Sequence, residues 1–116
     1  MIIGIQGTRS FSDYPVLLRA MGTALYGMSQ DDKEILIYSA GPANINDLVL
    51  EFSNVSEKGL KARGIKIKMM RVPASWIESN INVINYFVFL SKPGERNSHL
   101  VDVAEAQDIE VGIYRY

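Results

Sequence analysis

Short apolar runs alternate along the chain with longer stretches in which apolar residues recur every three or four positions. The short runs predict buried strands, and the longer spacing predicts helices with one apolar face. The predicted strands cover residues 1–6, 34–40, 65–73, 84–91 and 109–116. The predicted helices begin where small polar residues can cap a first turn, at Ser12 or Asp13, at Asn44 or Asn46, and at Asn97 or Ser98. The first ends near Met28 and the second at Gly59 or Gly64, whereas residues 74–83 are predicted to be a loop with one helical turn.

The order of these elements predicts the fold class. Strands that alternate with helices through short loops favour parallel crossover connections and a doubly wound sheet. Right-handed crossovers then place helices on both faces of that sheet. We therefore expect an α/β, three-layer Rossmann-like fold with about five parallel strands in the order 3-2-1-4-5. A length of 116 residues favours one domain over 1–116.

Composition and charge narrow the function classes. The net charge is −1 and the pI is near 5.8, whereas nucleic-acid-binding domains usually have a pI above about 9, so general nucleic-acid binding is not expected. The absence of cysteine and the single histidine exclude thiolate and multi-histidine metal sites, so neither a metal nor a cofactor is predicted. No apolar run reaches the roughly 20 residues that span a bilayer, and no signal-peptide pattern opens the sequence. We expect a cytoplasmic protein without a membrane partner.

Polar loops follow the predicted strands at their carboxyl ends, where doubly wound sheets bind ligands. The first strand leads into Gly7, Thr8, Arg9 and Ser10, and the second leads into a loop that contains Gly41. Glycines and hydroxyls are common in tight turns, so each also has a purely structural explanation. A guanidinium beside them is harder to explain structurally, because it can bind a phosphate through two parallel hydrogen bonds. The sequence therefore predicts an anion-binding crevice beside the first and fourth strands.

Taken in order, five segments of the chain resemble the loops and fourth strand of the SLOG superfamily, in particular its small YspA- and YpsA-related branch. The segments are GTRSF (7–11), SAGPANIND (39–47), VPASW (72–76), NINVINYFVFLS (80–91) and GERNSH (94–99). The superfamily includes nucleotide phosphoribohydrolases of the LOG type and the DNA-processing protein A. The resemblance implies a Rossmann-like fold that binds a nucleotide or a nucleotide-derived small molecule. Together with Ser10 from the first loop, the implied ligand contacts are Gly7, Thr8, Arg9, Gly41, Asn46 or Asp47, Asn80, Gly94 and Ser98.

Three functions are compatible with this sequence. The leading hypothesis is a sensor or sequestering module that binds the ligand without catalysis, because the hydrolase signature PGGxGTxxE is absent. The runner-up is an enzyme that cleaves an N-glycosidic bond, for which Asp47, Glu78 and Glu95 are the candidate carboxylates. The third is a protein-interaction module that has kept the fold and lost its pocket.

Isolated aromatic and histidine residues add further expectations. Trp76 either stacks on a base or anchors a loop by packing. The single His99 is expected at the surface or in support of a site residue, and not as a general base. The resemblance to the SLOG superfamily, whose pockets are often completed across a dimer, also implies a homodimer or higher homo-oligomer. Candidates for its interface are the tyrosines that the pattern places at the surface, namely Tyr14, Tyr26, Tyr114 and Tyr116.

Overall fold

Five parallel strands form one sheet in a computed structural model that describes all residues 1–116. The strands are β1 (Ile2–Gly7), β2 (Glu34–Ser39), β3 (Lys66–Arg71), β4 (Tyr86–Ser91) and β5 (Glu110–Arg115). Their order across the sheet is β3-β2-β1-β4-β5, and every neighbouring pair is parallel. The predicted fold class and strand order are confirmed.

Four helices and one 3₁₀ turn connect the strands. The helices are α1 (Tyr14–Tyr26), α2 (Ala43–Ala62), α3 (Ala74–Ser79) and α4 (His99–Ala106), and the 3₁₀ turn covers Ile81–Val83. The side chain of Asp13 caps α1 by accepting from the Val16 N–H at 3.2 Å, as one of the predicted caps requires. None of the helices is long and apolar enough to cross a membrane.

The start of α2 differs from the prediction. The residue before its first turn is Pro42, whose side chain has no hydrogen-bonding atom that could cap the helix. The predicted caps Asn44 and Asn46 lie inside the first turn. The Asn44 side chain bonds to the β1–α1 loop and the Asn46 side chain bonds to Ser39 at the end of β2, as described below. The helix ends at Ala62, and Gly64 follows with a positive φ of 76°, a conformation that glycine adopts without strain.

Alternating side chains on the strands bury apolar residues on both faces of the sheet. On one face, Ile3 and Ile5 of β1 pack with α1 and α2 around fully buried Leu17. On the other face, Phe87 and Phe89 of β4 pack with α3 and α4. Because β4 is buried on both faces, its nearly continuous apolar sequence is explained.

The two outer strands are only partly covered. In β3, Lys66 and Lys68 are exposed while Ile67 and Met69 pack against the core shared with α1 and α2, which confirms the predicted edge strand.

The four tyrosines expected at the surface divide into two groups. Tyr26 and Tyr116 are exposed. Tyr14 and Tyr114 are half-buried against the core, so the expectation of surface exposure is wrong for these two.

Candidate functional site

The turns that follow β1, β2 and β4 begin side by side. The Gly7 N–H donates to the Gly41 carbonyl at 3.1 Å, and the Thr8 N–H donates to the Leu90 carbonyl at 2.9 Å. β1 lies between β2 and β4, so the loops from β1 and β2 run toward one face and the chain after β4 runs toward the other. Three loops therefore meet at the edge of the sheet where the sequence predicts the crevice.

The two glycines at this meeting point have structural roles. A Cβ on Gly7 would lie 2.6 Å from the Leu90 carbonyl oxygen and 2.6 Å from Ile45 Cδ1, so only glycine lets α2 approach β1 this closely. Gly41 has a positive φ of 84°, which the turn from β2 into α2 requires. Both glycines shape the loops at the meeting point, whatever further contact they make with a ligand.

Two asparagines of α2 hold the β1–α1 loop and the end of β2. The Asn44 Nδ2 donates to the carbonyls of Thr8 at 3.0 Å and Phe11 at 2.8 Å, and Phe11 is fully buried. The Asn46 Oδ1 accepts from the Ser39 hydroxyl at 2.5 Å. The loop between β1 and α1 is thus fixed by protein contacts. These bonds also explain why the two asparagines do not cap α2.

The carboxylate of Glu95 lies at the centre of the loop cluster. The Thr8 hydroxyl donates to Oε1 at 2.8 Å, the Ser10 hydroxyl donates to Oε2 at 2.7 Å, and the Lys92 N–H donates to Oε1 at 2.6 Å. These bonds join the β1–α1 loop to the β4–α4 loop. The Lys92 backbone bond, followed by those from Ser10 and Thr8, lowers the pKa of Glu95 below its ordinary value of 4.5. We call Thr8, Ser10, the Lys92 N–H and Glu95 the carboxylate cradle.

Arg115, at the end of β5, fastens the loop that carries Glu95. Its guanidinium donates to the Ser91 hydroxyl at 3.0 Å, to the Glu95 carbonyl at 2.6 Å and to the Asn97 side chain. Sequence reasoning missed this residue. The signal was present, because the predicted strand order places the carboxyl end of β5 next to that of β4.

Two further polar atoms near the carboxyl edge are buried without a partner. Ser98 occupies the position before α4, yet its side chain makes no capping bond and its Oγ is buried and unpaired. The Oε1 of Gln6, the residue before Gly7, is also buried and unpaired. Gly94 has a positive φ of 86° at the exposed tip of the β4–α4 loop.

Other predicted site residues lie outside the hydrogen-bond network of the cradle. Arg9 is exposed between Thr8 and Ser10 and forms no ion pair, and Asp47 is exposed on α2. Asn80 ends α3, where its Nδ2 donates to the Trp76 carbonyl at 2.8 Å. The structure therefore brings Gly7, Thr8, Ser10 and Gly41 together with the β4–α4 loop and leaves Asp47 and Asn80 apart from that network.

Trp76 and His99 take protein partners. The Trp76 ring stacks on Tyr38 of β2 with centroids 4.2 Å apart and an interplanar angle of 28°, which is the packing role among the two alternatives. His99 is exposed and its Nε2 lies 2.8 Å from the Glu78 carboxylate, joining the start of α4 to α3. Glu78 therefore pairs with His99 at the surface and makes no hydrogen bond within the cradle.

No cavity opens among the predicted ligand contacts. The four cavities of the molecule, of about 260 to 510 Å³, are lined by other residues. The smallest lies at the opposite edge of the sheet, next to Met1, Asn85 and Tyr86. At the cradle, the Glu95 carboxylate itself occupies the position between the Thr8, Ser10 and Lys92 donors. No group of three or more His, Cys, Asp or Glu side chains is placed to hold a metal ion.

Comparisons of the chain with protein-family models, with curated proteins and with solved structures found no match. The resemblance of the loops to the SLOG superfamily stays a prediction. The case for a function therefore depends on the geometry of the loops and the cradle.

Proposed function

We propose that this protein binds a nucleotide or a nucleotide-derived small molecule at the carboxyl ends of β1 and β4, as a sensor or a sequestering module. The observation that carries the proposal is the set of donors from two loops that converge on the Glu95 carboxylate. Hydroxyl and backbone N–H donors that hold a carboxylate also suit the oxygens of a phosphate. A bound phosphate would take the place of the Glu95 carboxylate.

The charges around the cradle support this exchange. Arg9 and Lys92 are exposed beside the donors and neither forms an ion pair. If a ligand phosphate displaces the Glu95 carboxylate, Arg9 and Lys92 supply positive charge from the same two loops that supply the donors. Arginine is suited to such contacts because its planar guanidinium matches phosphate geometry. The nucleotide class of the ligand rests on the resemblance to the SLOG superfamily.

The enzymatic alternative has weaker support. Cleavage of an N-glycosidic bond needs a carboxylate that can exchange a proton near the reacting centre. Of the three candidates, Asp47 lies outside the network and Glu78 is paired with His99. Glu95 remains, but its hydrogen bonds lower its pKa and hold it ionised, which disfavours a role as general acid. The protein-interaction alternative is favoured by the absence of an open cavity at the cradle.

Binding can be tested by titration calorimetry and thermal shift with nucleoside mono- and diphosphates and inorganic phosphate. At 100 times its Kd, a ligand of the folded state adds about 2.7 kcal/mol of stability. The double variant Thr8→Val/Ser10→Ala should weaken binding at least about tenfold, because each lost hydroxyl is a hydrogen bond to a charged group. Thr23→Val is the matched control, since the Thr23 hydroxyl donates only to the Arg19 carbonyl on α1.

The outcomes separate the three functions. Stabilisation by a nucleotide that is lost in the cradle variant and kept in the control supports the proposal. Release of free base that disappears in Glu95→Ala favours the enzyme instead. A panel without any stabilisation contradicts the proposal and favours the protein-interaction module.

A further inference from the structure

Charged residues of opposite sign are concentrated in two segments of equal length. Residues 58–71 contain six basic residues and no carboxylate, and these six are half of the 12 Lys and Arg residues in the chain. Residues 101–114 contain four carboxylates and no Lys or Arg. We call the first set the basic edge and the second the acidic edge. The basic edge is Lys58, Lys61, Arg63, Lys66, Lys68 and Arg71, and the acidic edge is Asp102, Glu105, Asp108 and Glu110.

The fold places these two sets at opposite ends of the sheet. β3, which carries part of the basic edge, pairs only with β2, and the remaining basic residues lie on or just after α2, which packs against β3. β5 pairs only with β4, and the remaining acidic residues lie on or just after α4, which packs against β5. Each set therefore spans an outer strand and the helix beside it.

These charges are not used within the molecule. All ten side chains are exposed, and none forms an ion pair, since the two ion pairs present are Met1 with Asp32 and His99 with Glu78. A cavity of about 450 Å³ on the basic edge is lined by Lys61, Lys66 and Lys68 around the apolar Ile65 and Ile67. Glu34 and Glu57 border this cavity, and the three lysines outnumber them.

We propose that the basic edge of one copy docks on the acidic edge of a second copy, head to tail. The two surfaces have complementary charge, and Ile113 on β5, 37% exposed, offers apolar contact area at the acidic edge. Lysines on an outer strand oppose pairing between two β3 strands, so like edges repel and unlike edges attract. Contacts of this kind are heterologous, so they continue from copy to copy into a ring or an open chain.

A second copy explains both surfaces, whereas other occupants explain one. A nucleic acid would use the basic edge alone and would be repelled by the rest of a chain whose net charge is −1. An interface of ordinary size buries about 800 Å² on each partner, roughly one eighth of the 6561 Å² surface of this protein. Neither edge contains a predicted ligand contact, so this docking does not rest on the proposed function.

Sedimentation velocity across a concentration series in low and high salt tests the proposal. In about 20 mM salt we expect species heavier than a dimer. In about 500 mM salt, charges more than a few ångström apart are screened from each other, so the apparent Kd should rise at least about tenfold. Wild-type protein that stays monomeric at about 100 μM in low salt would overturn the proposal.

Charge reversal identifies the surfaces. Lys61→Glu/Lys66→Glu/Lys68→Glu/Arg71→Glu leaves two basic residues against four glutamates at the basic edge, so both edges become acidic. Asp102→Lys/Glu105→Lys/Glu110→Lys leaves one carboxylate against three lysines at the acidic edge, so both edges become basic. Each variant alone should therefore be monomeric. Mixed in equal amounts, the two variants should recover the heavy species, because unlike edges again face each other. Asp31→Lys/Glu51→Lys is the matched control, since both carboxylates are exposed and lie outside the two edges.

Each result of the mixing experiment is decisive. Recovery on mixing supports the proposal and also shows that both variants fold. Unchanged melting temperatures without recovery overturn it, as does assembly that one variant loses and the other keeps. Retention of a single-stranded oligonucleotide by monomeric wild-type protein would assign the basic edge to a nucleic acid instead.

Discussion

At the scale of single residues, the proposed site depends on whether Glu95 competes with a ligand. If a phosphate displaces its carboxylate, the charge of Glu95 opposes binding. Glu95→Gln should then raise the affinity for a nucleoside monophosphate at least about fivefold, the factor that matches repulsion between unit charges about 4 Å apart in water. Calorimetry measures this change, and Glu51→Gln, an exposed carboxylate on α2, is the control. Weaker binding in Glu95→Gln would instead make Glu95 a ligand contact.

The same residue gives a pH dependence to folding stability. The pKa of Glu95 is lowered in the folded state, so its hydrogen bonds stabilise the fold above the ordinary carboxyl pKa of 4.5. This contribution is lost as the pH falls through the lowered pKa. Urea unfolding from pH 7 to pH 3 should therefore show wild-type protein and Glu95→Gln converging in stability at acidic pH. A constant difference between them would contradict the role of the ionised carboxylate.

At the scale of elements, the packing of α2 on β1 depends on Gly7. The added methyl group of Gly7→Ala would meet the Leu90 carbonyl, a backbone atom that cannot move aside, as well as Ile45. We expect a loss of about 1–3 kcal/mol, the usual cost of overpacking. The control is Gly59→Ala, because Gly59 is exposed on α2 with nothing near its Cβ position, and it should gain up to about 1 kcal/mol. Equal stability of Gly7→Ala and wild-type protein would refute this role.

The elements also show how far sequence reasoning reaches. Apolar runs and short crossovers were enough to predict the strand order, because burial and handedness leave few alternatives. The start of α2 was mispredicted because Asn44 and Asn46 have cap-forming side chains that bond instead to the β1–α1 loop and to the end of β2, and such contacts depend on tertiary structure. Glu95 was a candidate catalytic carboxylate by sequence. In the structure its carboxylate accepts a hydrogen bond from Thr8, because the β4–α4 loop turns toward the β1–α1 loop with a positive φ at Gly94. No spacing pattern in the sequence predicts that turn.

At the scale of the whole molecule, the two charged edges should link stability to assembly. Partners that bind only the folded state stabilise it by an amount that grows with their concentration. We therefore expect the melting temperature to rise with protein concentration in about 20 mM salt and to become constant in about 500 mM salt. Scanning calorimetry over a hundredfold range of concentration measures this dependence, and the variant Lys61→Glu/Lys66→Glu/Lys68→Glu/Arg71→Glu, whose basic edge has become acidic, should show none. A concentration dependence that persists in high salt would mean that apolar contacts, such as those available to Tyr26, 93% exposed on α1, hold the copies together instead.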